Sequence, residues 1–172
     1  MPDSEWVSKL VPDAGGVYFV PSFRGLSAPY WDTKTSGMII GLKEGTQRAH
    51  IIRAALAALA YQVRDVYEAL ASDVKSSIPA LKVDGGAAQN NLLMQFQADI
   101  LNMPVIRAYT TETTGLGAAY LAGLTLGIWK DIDELRSIWH AGVRYEPRMS
   151  EEQRTALYDG WQSAVSKVLG WD

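Results

Sequence analysis

The 172-residue sequence has no cysteine, which excludes disulfides, thiolate metal sites and a cysteine nucleophile. It has two histidines, His50 and His140, too few for a histidine-rich metal site. No basic block stands out and the formal net charge is −3, so the electrostatic footprint of a nucleic-acid binder is missing. Long hydrophobic runs are absent as well. The most apolar stretch, Gly115 to Trp129, is interrupted by Gly, Thr and Tyr and is too short to span a bilayer. Met1-Pro2-Asp3-Ser4-Glu5 carries neither the positive n-region nor the apolar h-region of a secretory signal. There is no G-x-x-x-x-G-K-[ST] loop, which excludes the P-loop motif.

What is present suits one soluble domain. Apolar residues make up 48% and charged residues 20%, and six Trp and eight Tyr add large apolar area to a core. Strands and helices alternate. Val17 to Val20 and Met38 to Gly41 read as short strands, with an irregular stretch over 24–36 between them. A long helix is expected over 47–72, with Thr46 as its N-cap. Its apolar face is Ile52, Leu56, Leu59, Val63, Val66 and Leu70, at spacings of three and four, with Arg48, Arg53, Arg64 and Glu68 in solvent.

Leu81 to Val83 then reads as a buried strand, 90–101 as a helix, and Pro104 to Ile106 as another strand. A helix over 116–128 carries a small-residue face of Ala118, Ala119, Ala122 and Gly123, suited to close packing. Asp131 with Glu134, and Ser150 with Gln153, mark two later helix starts as capping boxes. The last helix is expected to bury Leu157, Trp161, Val165 and Val168. The pattern argues an α/β fold with some parallel pairing.

The strongest local feature is Asp84-Gly85-Gly86-Ala87-Ala88-Gln89-Asn90, where a buried strand meets two glycines and a helix start. Ligands of open α/β sheets bind beyond the carboxyl ends of strands, and glycines there let backbone approach a ligand. Asn90 falls near the first helical turn, where free N–H groups favour an anionic or polar ligand. By spacing alone, an ordinary strand-to-helix turn with Asp84 or Asn90 as a cap is the better account, because Gly-Gly turns are common. Gly115-Leu116-Gly117 lacks the third glycine of a dinucleotide fingerprint, since Tyr120 stands there. Thr110, Thr111, Thr113 and Thr114 around Glu112 read as loop caps, His50 as a surface or packing residue, and His140 as a loop residue. Nothing in the spacing places two of Asp32, Asp65, Asp84 and Asp99 together.

Taken together, several segments resemble the glycerol kinase branch of the FGGY carbohydrate kinases. They are Gly16 to Pro21, Ala28 to Asp32, Gly41-Leu42, Arg48 to Ala54, Ala60 to Val66, Val83 to Asn91, Leu93 to Leu101 and Glu112 to Gly123. The run Leu93-Met94-Gln95-Phe96-Gln97-Ala98-Asp99 is closer to glycerol kinases than to xylulose or gluconate kinases. Ala57, Ala108 and Gly115 depart from the family pattern, which commonly has an acidic or amide residue, Pro and Ala there.

The resemblance implies a partial actin-like (ribonuclease-H-like) ATPase domain, a mixed sheet flanked by helices. Residues 1–172 would form the nucleotide-side C-terminal domain, without its first strands or the N-terminal substrate domain. It implies a cytoplasmic enzyme that uses ATP and Mg²⁺ to phosphorylate glycerol, with the Mg²⁺ ligands and the catalytic residues outside this chain. By the match, the backbone at Gly85 and Gly86 lies against the nucleotide and Asn90 approaches the adenine. The isolated chain would be inactive. Left without the first strands of its domain, it would expose a sheet edge and apolar surface and form a homo-oligomer. A fragment of another FGGY sugar kinase and a non-catalytic actin-like interaction module are the alternatives.

Overall fold

The computed structural model describes residues 4–73, 78–110, 112–138 and 141–170. A short helix α1 (Ser4–Ser8) leads to β1 (Tyr18–Val20) and β2 (Met38–Ile40), which pair antiparallel. The long helix α2 (Arg48–Asp73) follows, then β3 (Leu81–Val83), a 3-10 turn (Ala87–Gln89) and α3 (Asn91–Leu101). The chain continues through β4 (Val105–Ala108), α4 (Thr113–Thr125), α5 (Ile132–Ile138), β5 (Ala141–Tyr145) and α6 (Glu151–Val168). Strands β3 and β4 are parallel, β5 is antiparallel to β4, and the order β3-β4-β5 forms a mixed sheet. The expected α/β architecture with helices around a mixed sheet is therefore present. Strand β5 and helix α1 were not legible in the pattern.

An aromatic knot joins the elements of the core. Trp161 of α6 is fully buried and stacks on Tyr61 of α2 at 5.2 Å between ring centroids. Phe96 of α3 meets Tyr61 edge-on at 5.5 Å, and Tyr18 of β1 lies 6.0 Å away. Such pairs add about 0.5–1.5 kcal/mol each beyond area burial. Asp65 of α2 is buried in the same region and accepts hydrogen bonds from Tyr158 Oη at 2.7 Å and Trp161 Nε1 at 2.8 Å. Burial pushes its carboxyl above the usual carboxylate range, opposed by the donors Tyr158, Trp161 and Tyr30. The same burial raises the phenols of Tyr30, Tyr61 and Tyr158.

The core takes a different side of α2 from the one its pattern suggests. Ala54, Ala58, Tyr61 and Asp65 face inward, because the aromatic rings leave room only for small residues on the helix beside Tyr61. Of the expected stripe, Ile52 packs with Val7, Val11 and Ala49 under α1, whereas Leu59, Val63, Val66 and Leu70 remain exposed. Arg64 is not solvated either. Its guanidinium carbon lies 3.7 Å from the Tyr158 ring centroid, and its Nε donates to Glu68 at 2.7 Å. Thr46 is not the cap of α2: its hydroxyl accepts from the Lys43 N–H, and His50 Nδ1 accepts from the Gln47 N–H at 3.0 Å.

The later capping boxes form as expected. Asp131 accepts from the Glu134 N–H at 2.9 Å, and Ser150 from the Gln153 N–H at 3.3 Å. Helix α6 buries Tyr158, Trp161, Ala164, Val165 and Val168, with Leu157 half-buried. Helix α4 is the exception to good packing. Only Gly123 among its residues is buried, against the Trp129 ring, and Ala118, Ala119 and Ala122 stay in solvent. No helix among the described residues is long and apolar enough to cross a membrane.

Candidate functional site

Strand β3 ends at Val83, Asp84 after it is exposed, and the chain turns at Gly85 with φ +83°. That left-handed conformation costs an L side chain about 1–2 kcal/mol, so glycine is required by the backbone. Gly86 is different. Its dihedrals (φ −62°, ψ −41°) suit any residue, and a Cβ there would meet nothing within 4 Å. Neither turn geometry nor packing among the described residues asks for glycine at 86, and a side chain would occupy only open space above the turn.

The turn then winds through the 3-10 helix, with the Asn90 N–H donating to Ala87 O at 3.1 Å and buried Ala88 anchoring it in the core. Asn90 is the N-cap of α3: its backbone is extended and its Oδ1 accepts from the Leu93 N–H at 3.0 Å. A cap of this kind is worth about 1 kcal/mol. Capping uses the amide oxygen, and among the described residues Asn90 Nδ2 makes no hydrogen bond.

Residues distant in sequence hold the turn. Arg107, at the carboxyl-end side of β4, donates from one Nη to Ala88 O at 3.0 Å and to Asn91 Oδ1 at 3.1 Å. Tyr145 of β5 donates its hydroxyl to the same Asn91 oxygen at 2.7 Å. Glu5 of α1 accepts from the Asn91 N–H at 2.9 Å, and its carboxyl is held below the usual range by the Lys9 ammonium and this N–H. The first turn of α3 therefore does not offer the open N–H groups expected of an anion site. Two of its donors are already taken, by Glu5 and Asn90, and a carboxylate stands beside them. What the turn leaves available is the open space above Gly86 and the Asn90 Nδ2. Arg107, Tyr145 and Glu5 were not singled out from the pattern. The signal for Arg107 was its place at the carboxyl end of a strand parallel to β3, the edge where such sheets place ligands.

The other candidates do not converge on this turn. Asp65 ties α2 to α6, and Asp99 accepts from Gln95 Nε2 at 3.0 Å and from the Arg148 N–H at 2.7 Å. Asp32 accepts from the Lys34 N–H at 2.9 Å, which lowers its pKa. Thr110 caps the Glu112 N–H at 3.3 Å, while Thr111 and His140 lie outside the described residues. Among the described residues, Gly115 and Gly117 touch nothing that a Cβ would disturb. A groove of about 1190 Å³ runs between α1, α2, α3 and α6 over Arg53, Tyr61, Phe96 and Leu157, and is not lined by Gly85, Gly86 or Asn90.

Residues 3–126 match the model of the FGGY family of carbohydrate kinases, C-terminal domain. The chain is 54% identical over 170 residues to glycerol kinase 2 of Thermotoga maritima, covering 99% of this chain and 34% of the relative. It is 57% identical over 167 residues to a glycerol kinase of Saccharolobus islandicus, covering 97% of this chain and 33% of that protein. The chain thus spans about a third of the length of the curated relatives it matches, at their C-terminal part. Among solved structures, the crystal structure of Plasmodium falciparum glycerol kinase with ADP superposes with TM-score 0.88 at 32% identity. It covers 100% of this chain and 35% of that one. A gluconate kinase of Lactobacillus acidophilus shares the fold, with TM-score 0.77 at 23% identity over 96% of this chain and 33% of its own.

Proposed function

The chain belongs to the FGGY family of carbohydrate kinases, and from that membership we propose that it supplies the adenosine-binding side of a cytoplasmic, ATP-dependent glycerol kinase. The reaction of the whole enzyme would be ATP and glycerol to ADP and glycerol 3-phosphate. Gly85 and Gly86 receive the nucleoside along their backbone, and the Asn90 amide reaches the adenine end. The observation that carries this reading is Gly86, a glycine in ordinary helical geometry whose missing Cβ opens onto empty space beside an N-cap amide. It is supported by 54% identity to glycerol kinases, against 23% to the gluconate kinase of Lactobacillus acidophilus.

The turn fits the nucleoside better than the phosphates, because Glu5 places a carboxylate at the first turn of α3. Phosphoryl transfer depends on charge stabilisation around the γ-phosphate. No group of three acidic or histidine side chains that could hold a metal occurs among the described residues. We place Mg²⁺ with the nucleotide and the remainder of the enzyme, together with the glycerol site and the catalytic residues, as the family membership suggests. The isolated chain is accordingly expected to bind nucleotide without turnover, and to form a homo-oligomer through its exposed apolar side chains.

Incubation of the pure chain with ATP, Mg²⁺ and glycerol tests the first part. No glycerol 3-phosphate is expected, and steady turnover would contradict the assignment of catalysis to other parts of the enzyme. Sedimentation tests the second. Association that rises with concentration is expected, and a monomer throughout would contradict it.

A further inference from the structure

The groove between α1, α2, α3 and α6 lies outside the nucleotide site proposed above, and the charges around it do not cancel. At about 1190 Å³ it is as roomy as the largest small-molecule sites, which reach about 1,000 Å³. Its floor is apolar. Ala57 of α2, Phe96 of α3 and Leu157 of α6 are half-buried there against the core. The acids around it already have partners. Glu5 accepts from Lys9 Nζ at 2.6 Å, Asp13 from the Gly15 N–H at 2.6 Å, and Asp99 from Gln95 Nε2 and the Arg148 N–H. Three cations of the groove, Lys43, Arg53 and Arg148, form no ion pair among the described residues.

Arg53 is the half-buried member of that set. Its Nη1 donates one long bond, to Ser8 O at 3.4 Å, and burial disfavours its charge, with Asp13 opposing. Lys43 Nζ leans over the adjoining loop, 3.7 Å from where a Cβ of Gly16 would stand. Position 57 lies one helical turn beyond Arg53, the spacing at which a glutamate would reach the guanidinium. Alanine there leaves both the charge and the space open. A guanidinium presents a planar fork that fits a carboxylate, whereas Glu5, Asp13 and Asp99 nearby disfavour a dianion such as a phosphate monoester. The chain as a whole carries −3, so the positive surplus here is local and not a general attraction for anions.

We propose that this groove is a binding site for a small monocarboxylate with a flat apolar body, its carboxylate on Arg53 and its body over Ala57, Phe96 and Leu157. The site is separate from the Gly85–Gly86 turn and does not rest on the kinase reading.

Cinnamate, a flat aryl carboxylate, and its neutral counterpart cinnamamide are the probes. Binding is read by amide shift mapping in heteronuclear NMR, and thermal melting confirms the fold of each variant. Cinnamate is expected to shift the amides around Ala57 and Phe96 and to bind at least about tenfold tighter than cinnamamide. In Arg53→Met, which keeps an apolar stem, that preference is expected to vanish. In Ala57→Glu, which sets a carboxylate beside Arg53, cinnamate binding is expected to be lost. A preference unchanged in Arg53→Met, or shifts that fall outside the groove, would overturn the proposal. ADP is then added to the chain saturated with cinnamate. No displacement is expected from the groove, and displacement would make the nucleotide its occupant and overturn the proposal. Two further occupants are checked. Cinnamate affinity that falls as chain concentration rises would identify a second copy. Loss of binding when the chain is joined behind the preceding part of Thermotoga maritima glycerol kinase 2 would identify that segment. Either result overturns the proposal, and binding retained in both supports it.

Discussion

Asp65 on α2 accepts the indole N–H of Trp161 on α6 at 2.8 Å, so one buried carboxylate joins two helices far apart in sequence. Its other oxygen takes the Tyr158 hydroxyl at 2.7 Å. Asp65→Ala would leave both donors buried without a partner. Each stranded donor costs about 1–3 kcal/mol, so a loss of about 2–4 kcal/mol is expected by urea unfolding. A loss under about 1 kcal/mol would show that the pair of bonds does not hold the helices together.

The same carboxyl gives a pH dependence with a definite sign. Its folded-state pKa is raised, chiefly by burial. A raised group contributes stability below its unfolded pKa and loses that contribution as pH rises through the folded value. The stability difference between the parent and Asp65→Asn, which cannot ionise, is therefore expected to be larger near about pH 3 than near about pH 7. A difference that grows toward neutral pH would mean that the hydrogen bonds from Tyr158, Trp161 and Tyr30 outweigh burial.

Arg107 holds the 3-10 turn through Ala88 O and Asn91 Oδ1. Lysine keeps the charge but not the planar fork. Arg107→Lys is expected to weaken ADP binding by about tenfold, or about 1.4 kcal/mol, and to speed amide exchange at Asn90. Unchanged ADP affinity with unchanged exchange would show that the turn keeps its shape without the clamp.

Two glycines should respond to alanine in opposite ways. At Gly160 a Cβ would clash with the Tyr18 hydroxyl, which itself donates to Leu157 O. Gly160→Ala is expected to destabilise the chain by about 1–3 kcal/mol through overpacking. At Gly115 a Cβ meets nothing, and alanine favours a helix over glycine by about 1 kcal/mol, so Gly115→Ala should raise the helical content seen by circular dichroism. Loss of helix in Gly115→Ala would contradict the open placement of α4.

Much of this architecture was legible because it is written locally. The strand–glycine–helix sequence at 81–101 and the capping residues Asp131 and Ser150 act within a few positions of themselves. The side of α2 that enters the core was not legible, since it is chosen by Tyr18, Phe96 and Trp161 arriving from other elements. The bulkiest stripe on α2 was the natural expectation, and it is the one left in water. Strand β5 escaped notice because Ala141-Gly142-Val143-Arg144-Tyr145 has little β-branched content and is defined by pairing with β4. At the candidate site, Gly85, Gly86 and Asn90 are named from the resemblance. Arg107 and Tyr145 are not, because what qualifies them is reach across the sheet to Asn91.

The central claim is that the nucleoside lies on the Gly85–Gly86 backbone beside Asn90. Calorimetric titration of the chain and of its Gly86→Val variant with ADP tests it most directly. A Cβ at that position meets no atom of the chain and the helical dihedrals suit any L residue, so the variant is expected to melt as the parent does. The account predicts that the parent binds ADP and that the variant does not. Equal binding by both, or no binding by the folded parent, would contradict it.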